Sequence, residues 1–162
     1  MAGAVKGTRG AWGEDYAAAY LRRAGADTTD VKKLLQTDMD DTVAKYKILQ
    51  SAKLYRNLAI AVPEEPQNRV VAASAADELL NISGVDASIV VAPDGNGGSF
   101  APSPFGGAIN ISARSLGRVN VQLIMEKVGG GGNRSAAAAQ FAGTDVNTAV
   151  KRIYAAIDDY LG

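Results

Sequence analysis

Two stretches decide the fold prediction for this chain: Ile109-Asn110-Ile111-Ser112-Ala113-Arg114-Ser115 and Gly129-Gly130-Gly131-Gly132-Asn133-Arg134. Apolar and polar residues alternate in the first stretch, which is typical of a β-strand. Residues 119–128 have helical spacing and connect it to the glycines, and a tract of alanines follows. Four glycines allow positive φ and a close approach of the backbone to a ligand. The order therefore predicts a strand, a helix and a tight loop.

The glycine run permits two interpretations from the residues alone. Such loops commonly present backbone N–H groups to phosphate oxygens, but glycine runs also form flexible connectors. Arg114, close to the end of the predicted strand, favours phosphate binding because its planar guanidinium can form two parallel hydrogen bonds. Arg134 either adds positive charge to the same site or lies in solvent.

Ser112-Ala113-Arg114-Ser115, Val119-Asn120-Val121-Gln122 and the four glycines resemble the C-terminal DHH-associated domain of DHH-family phosphoesterases. They are most similar to the cyclic di-AMP phosphodiesterase branch. Residues 18–28 and 31–35 resemble the connecting helices that follow the catalytic domain in this family. The resemblance implies a phosphate-binding site made of Ser112, Arg114, Ser115, Gly129, Gly130, Gly131, Gly132, Asn133 and Arg134.

The chain departs from the family pattern in two ways. Catalysis in the family resides in an N-terminal DHH domain whose Asp and His residues hold two divalent metals, usually manganese, whereas this chain has no histidine. The resemblance implies a substrate-binding fragment that has no catalytic residues, metal or cofactor of its own and is inactive alone. Asn133 also occupies the position of a family histidine. An amide can donate a hydrogen bond there, but it carries no charge and shuttles no proton.

The expected function is phosphate or nucleotide recognition in a phosphodiesterase, a hydrolase acting on cyclic di-AMP or short linear dinucleotides. One alternative is binding of short oligonucleotides or single-stranded nucleic acid, as in nanoRNase and exonuclease relatives. The other is a structural or dimerisation module. The expected partners are a cyclic dinucleotide or short oligonucleotide and the missing catalytic domain. A homodimer is compatible with the sequence, which does not define the oligomeric state.

Composition sets further bounds on function. The 162 residues include 17 basic and 17 acidic side chains, and this balance argues against binding of long duplex nucleic acid. There is no cysteine, and no apolar stretch is long enough to cross a bilayer. We therefore predict a cytoplasmic chain without membrane contact, while the resemblance implies that parent enzymes are often anchored through upstream segments.

The predicted organisation is disorder over residues 1–13, a helical connector over 14–56 and the DHH-associated domain over 57–162. The fold class is α/β, a mixed sheet of four to five strands with helices packed on it and a helical connector before it. Strands are predicted at 58–62, 87–92 and 108–115. The resemblance adds a strand at 135–141, where the alanines alone indicate a helix.

Helices are predicted over residues 14–24, from Thr29 or Asp30 to Leu49, over 70–82 and over 146–161. Three carboxylates, Asp38, Asp40 and Asp41, fall within the second of these helices. Neighbouring residues on a helix point to different sides, so a metal site is disfavoured. A solvated face or a helix break near Thr37 is predicted instead.

Overall fold

The computed structural model describes residues 28–95 and 108–162 of the chain. The chain divides into two compact units, Met1–Asp41 and Thr42–Gly162. The disorder predicted over 1–13 and the helix predicted over 14–24 lie outside the described residues. In the first unit, residues 28–41 are helical and expose Asp38, Asp40 and Asp41. The helix continues through Thr37, whose hydroxyl donates to the Lys33 carbonyl at 2.9 Å, so no break occurs there.

Ten elements follow one another along the described chain. They are α1 (Thr28–Gln50), β1 (Lys53–Tyr55), β2 (Leu58–Ala61), α2 (Arg69–Leu79), β3 (Ala87–Pro93), β4 (Ile109–Ser115), α3 (Val121–Glu126), β5 (Gly131–Gly132), β6 (Ala136–Phe141) and α4 (Val146–Leu161). In the described ranges, no helix is both long and apolar enough to span a membrane.

The strands form one mixed sheet in the order β1-β2-β3-β4-β6-β5. β2 and β3 are parallel, and every other neighbouring pair is antiparallel. The predicted α/β class is confirmed, but the sheet has six strands rather than four to five. The two strands not predicted are β1, which has three residues, and β5, which consists of two glycines and so carries no side-chain pattern.

Two apolar cores lie on opposite faces of the sheet, because successive side chains of a strand point in opposite directions. Ile89 and Val91 of β3 belong to the core that includes residues of α3 and α4. Val90 and Ala92 of the same strand belong to the core that includes α2 and Ile48 of α1. We call these two sides the α3/α4 face and the α2 face.

The alanine tract forms β6, as the resemblance implied. Ala137 and Ala139 are buried on the α3/α4 face, whereas Ala138 on the α2 face is exposed. Both edges of β6 are paired, with β4 on one side and β5 on the other. Helix propensity is a weak preference that such tertiary pairing overrides.

The C-terminal helix has the predicted bounds and faces the sheet with one apolar side. Ala149, Ile153, Ala156 and Ile157 are buried on this side. The Asp145 side chain caps the helix by accepting the Thr148 N–H at 2.6 Å. At the other end of the helix, the Tyr55 hydroxyl donates to Asp158 Oδ1 at 2.6 Å, which ties β1 to α4.

Candidate functional site

The glycine run begins where α3 ends. Gly129 has φ of 83°, a left-handed conformation that favours glycine after a helix. Its N–H donates to the Glu126 carbonyl at 3.2 Å, and the Gly130 N–H donates to the Met125 carbonyl at 2.8 Å. These two amides therefore complete the helix end and are already paired.

The second half of the run pairs with β6 as strand β5. A Cβ placed on Gly130 would lie 2.2 Å from the Ala138 carbonyl oxygen, and one on Gly132 would lie 2.4 Å from that of Ala136. Gly131 has open space around it. The run is thus part of the sheet rather than a flexible connector, and glycine is required where the two backbones nearly touch.

A cavity of about 530 Å³ lies on the α2 face beside this run. Its walls come from the N-terminal half of α2, from β4 and β6, and from the glycines. The lining residues are Arg69, Ala73, Asn110, Ile111, Ser112, Gly129, Gly130, Gly131, Ala138, Ala139 and Gln140. This volume lies within the range of small-molecule sites.

Of the predicted site residues, Ser112 and three of the four glycines line this cavity. Arg114 is on the same face of β4, two residues beyond Ser112, but it does not line the cavity. Its Nε lies 3.2 Å from Asp77 Oδ1 of α2, and its Nη1 donates to the Ala113 carbonyl at 2.9 Å. Two strand residues span about 7 Å, so the backbone of Arg114 lies about 7 Å along β4 from Ser112, which lines the cavity.

The remaining predicted site residues lie outside the cavity lining and make local contacts. The Ser115 hydroxyl accepts the Gly117 N–H at 3.0 Å, and Arg134 Nε donates to the Gly117 carbonyl at 2.9 Å. Asn133 Oδ1 accepts the N–H groups of Ser135 at 3.0 Å and Ala136 at 2.9 Å. The two bonds to Asn133 hold the turn that leads from β5 into β6, and the bond from Arg134 ties this turn to the loop after β4.

Sequence analysis missed Arg69, the first residue of α2. Arg69 is exposed and lines the cavity, and within the described part of the chain its side chain makes no ion pair or hydrogen bond. The first turn of α2 contains no acidic residue. A cation at a helix N-terminus is unfavourable because the helix dipole is positive there. This misplaced charge is the signal that could have identified the residue.

Asn110 was also missed. It is 8% exposed, and among the described residues its Nδ2 is the buried side-chain nitrogen or oxygen that lacks a hydrogen-bond partner. The alternation Ile109-Asn110-Ile111 places an amide on the face opposite two isoleucines. In a sheet covered on both faces, this pattern indicates a buried polar group.

The cavity brings together polar groups that can bind a ligand. The unpaired guanidinium of Arg69, the Ser112 hydroxyl and the Asn110 amide can contact an anionic, polar ligand. Over the described ranges, no cluster of three or more His, Cys, Asp or Glu side chains could hold a metal. With no histidine in the chain, the described residues do not fit a dinuclear manganese site.

Comparisons with known proteins place this geometry in a family. The DHHA1 domain family matches residues 56–161. The chain is 43% identical over 149 residues to the cyclic-di-AMP phosphodiesterase GdpP of Bacillus subtilis, covering 89% of this chain and 21% of that protein. It is 41% identical over 147 residues to the cyclic-di-AMP phosphodiesterase PdeA of Listeria monocytogenes, with coverage of 89% and 21%.

A solved structure shares the fold. The exopolyphosphatase-related protein of Bacteroides fragilis superimposes with a TM-score of 0.58 at 23% identity, over 88% of this chain and 42% of that one. The chain spans about a fifth of the length of the two phosphodiesterases, so it is related to one domain of these larger proteins. The predicted resemblance is confirmed: the chain belongs to the DHHA1 domain family and is a phosphodiesterase-associated domain related to the cyclic-di-AMP phosphodiesterases.

Proposed function

We propose that this chain is the nucleotide-recognition domain of a phosphodiesterase that acts on cyclic di-AMP or short linear dinucleotides. The observation that carries the proposal is the cavity in which the unpaired Arg69, Ser112 and the glycine run meet. The relationship to two cyclic-di-AMP phosphodiesterases supports the choice of ligand. Catalysis and the metal pair belong, in this proposal, to a separate DHH domain.

The amides of Gly129 and Gly130 are already bonded, so in this proposal side chains make the main contacts to phosphate. Arg69 supplies the positive charge at the N-terminal end of α2, where the helix dipole also favours an anion. Ser112 supplies a hydroxyl donor from the sheet. The glycines contribute a wall without Cβ atoms, which leaves room for the ligand close to the backbone.

Arg114 holds a second position on the same side of β4. Its side chain is 22% exposed and is paired with Asp77, which is itself 66% exposed. An exposed carboxylate can turn away into water at low cost, so a second phosphate can replace it on the guanidinium. A dinucleotide that occupies both positions then spans from Arg69 past Ser112 to Arg114.

The test is a titration of the purified chain with cyclic di-AMP, the linear diadenosine dinucleotide and a single-stranded oligoadenylate, followed by NMR and calorimetry. We expect Arg69→Ala and Arg114→Ala each to weaken dinucleotide binding by about 10- to 150-fold, the equivalent of about 1.5–3 kcal/mol for a charged hydrogen bond. Arg114→Lys should also lose affinity, because lysine keeps the charge without the planar fork.

Arg118→Ala is the matched control. Its side chain is 85% exposed, it lies 4.0 Å from Asp86, and it does not line the cavity. Unchanged binding after both Arg69→Ala and Arg114→Ala would refute the proposed site. Preference for the oligoadenylate over both dinucleotides would support the oligonucleotide-binding alternative instead. Absence of spectral shifts at millimolar nucleotide would refute nucleotide recognition by this chain.

A further inference from the structure

Two carboxamides lie side by side on the floor of the cavity. Asn110 of β4 is the registered partner of Gln140 of β6, and both line the cavity on the α2 face. Asn110 is buried and Gln140 is exposed. The cavity is therefore lined by one buried and one exposed carboxamide.

The unpaired Nδ2 of Asn110 requires an explanation. Buried side-chain polar atoms in folded proteins nearly always have a hydrogen-bond partner, and an unpaired buried donor is unfavourable. The neighbours of Asn110 across the sheet are Ala92 and Gln140. An apolar residue would fill this position at lower cost, so the amide is more consistent with a role toward a ligand than with packing.

The surroundings of the two amides indicate the kind of ligand group. Small residues line much of the cavity, namely Ala73, Ala138 and the glycines, which have no side chain. Such a surface suits the flat face of an aromatic ring. The amides are neutral, whereas the cation of this cavity is Arg69. A neutral hydrogen-bonding group beside an unpaired cation matches a nucleotide, with its base over the amides and its phosphate near Arg69.

We propose that Asn110 reads the edge of the adenine base of the bound nucleotide. Nδ2 donates to ring nitrogen N7 and Oδ1 accepts from the exocyclic N6 amine, the bidentate pairing that carboxamides make with adenine. At the corresponding edge guanine presents two acceptors, N7 and the carbonyl oxygen O6, so the carboxamide can make only one of the two hydrogen bonds. This inference rests on the proposed function, since it assigns a base to the same cavity.

Adenine analogues test the pairing on the unaltered protein. The ligands are the linear diadenosine dinucleotide, its 1-deaza and 7-deaza analogues, each lacking one ring acceptor, and the linear diguanosine dinucleotide. We expect the wild-type chain to prefer adenine over guanine by about 5- to 150-fold, to lose a comparable factor with the 7-deaza analogue and to bind the 1-deaza analogue normally. Equal affinity for all four ligands would overturn the inference.

Asn110→Leu supplies the complementary test. We expect this variant to lose the adenine preference and to unfold at the same or a higher temperature, because it removes an unpaired buried donor. Gln122→Leu is the matched control, since Gln122 Nε2 donates to Glu126 at 3.0 Å and does not line the cavity. An unchanged adenine preference in Asn110→Leu would also overturn the inference, while leaving nucleotide binding by the chain intact.

The two proposals fail in distinguishable ways. If the chain binds nucleotides and depends on Arg69 but does not discriminate between bases, the proposed function stands and the role of Asn110 is wrong. If no nucleotide binds, both are wrong. Inorganic phosphate separates the contributions further, because its binding should depend on Arg69 and be unaffected by Asn110→Leu.

Discussion

A series of alanine substitutions in the glycine run tests whether its glycines serve close packing or flexibility. A Cβ on Gly130 would meet the Ala138 carbonyl oxygen at 2.2 Å, the Ala139 Cβ at 2.6 Å and the Ala139 Cα at 2.9 Å. Two of these three atoms are backbone, so relief requires β5 and β6 to separate. Overpacking of this kind costs about 1–3 kcal/mol, and we expect Gly130→Ala to reach the upper end.

Substitutions at the other three glycines separate two causes of destabilisation, steric contact of the added Cβ and a positive φ. Gly131 has no atom within 4 Å of an added Cβ and no positive φ, so Gly131→Ala should change stability by less than about 0.5 kcal/mol. Gly129 also has open space but has φ of 83°, so Gly129→Ala should cost only the left-handed backbone penalty of about 1–2 kcal/mol. Gly132 combines a 2.4 Å contact with φ of 149° and should be at least as sensitive as Gly130.

Urea denaturation followed by circular dichroism measures the four free energies of unfolding. The expected order of stability is Gly131→Ala, then Gly129→Ala, then Gly130→Ala and Gly132→Ala. If Gly130→Ala were as stable as Gly131→Ala, the packing of the run against β6 would be refuted. Equal losses at all four positions would instead indicate that chain flexibility alone is required.

Two further predictions concern pH and metal. Hydrogen bonds from Thr148, first its side chain and then its N–H, lower the pKa of Asp145, so the stability from this charge is present above about pH 4 and lost as pH falls through the folded pKa. Asp145→Asn keeps a good cap but removes the charge. The melting temperature of this variant should be below that of the wild type near pH 7 and equal to it below about pH 2. A difference in melting temperature that does not change with pH would contradict this prediction. Manganese-dependent hydrolysis of cyclic di-AMP by this chain alone should be absent, because it contains no histidine ligand. Turnover in a preparation free of contaminating enzyme would disprove it.

Most of the fold could be predicted because its longer elements have clear side-chain periodicity. The apolar stripe of α4 and the alternation in β4 each identify one element and its buried face. The strands that the sequence did not predict, β1 and β5, are too short or too poor in side chains to show an alternating pattern. β1 pairs with β2 through a two-residue turn in which φ is 50° at Arg56 and 66° at Asn57. Arginine is not a usual residue for that left-handed conformation, so the turn could not be predicted from the sequence.

The candidate site was predicted only in part. Ser112 and the glycines were identified because their order along the chain resembles the family pattern. Arg69 is 43 residues before Ser112 in the numbering, and only the position of α2 on the sheet brings the two residues to one cavity. In the sequence, Asn110 is one of the polar residues of an alternating strand. The sequence does not show that its Nδ2 group is buried without a hydrogen-bond partner.

The alternation along β3 has a consequence for changes in chain length. Ile89 and Val91 serve one core while Val90 and Ala92 serve the other. One residue inserted inside the strand would move every β3 residue on one side of the insertion to the opposite face, since the side-chain repeat is two residues. A single insertion would then disrupt the packing of both cores, so neither core could compensate for the loss of stability in the other. We therefore expect a one-residue insertion or deletion inside β3 to be tolerated less well than one in the loops that flank it.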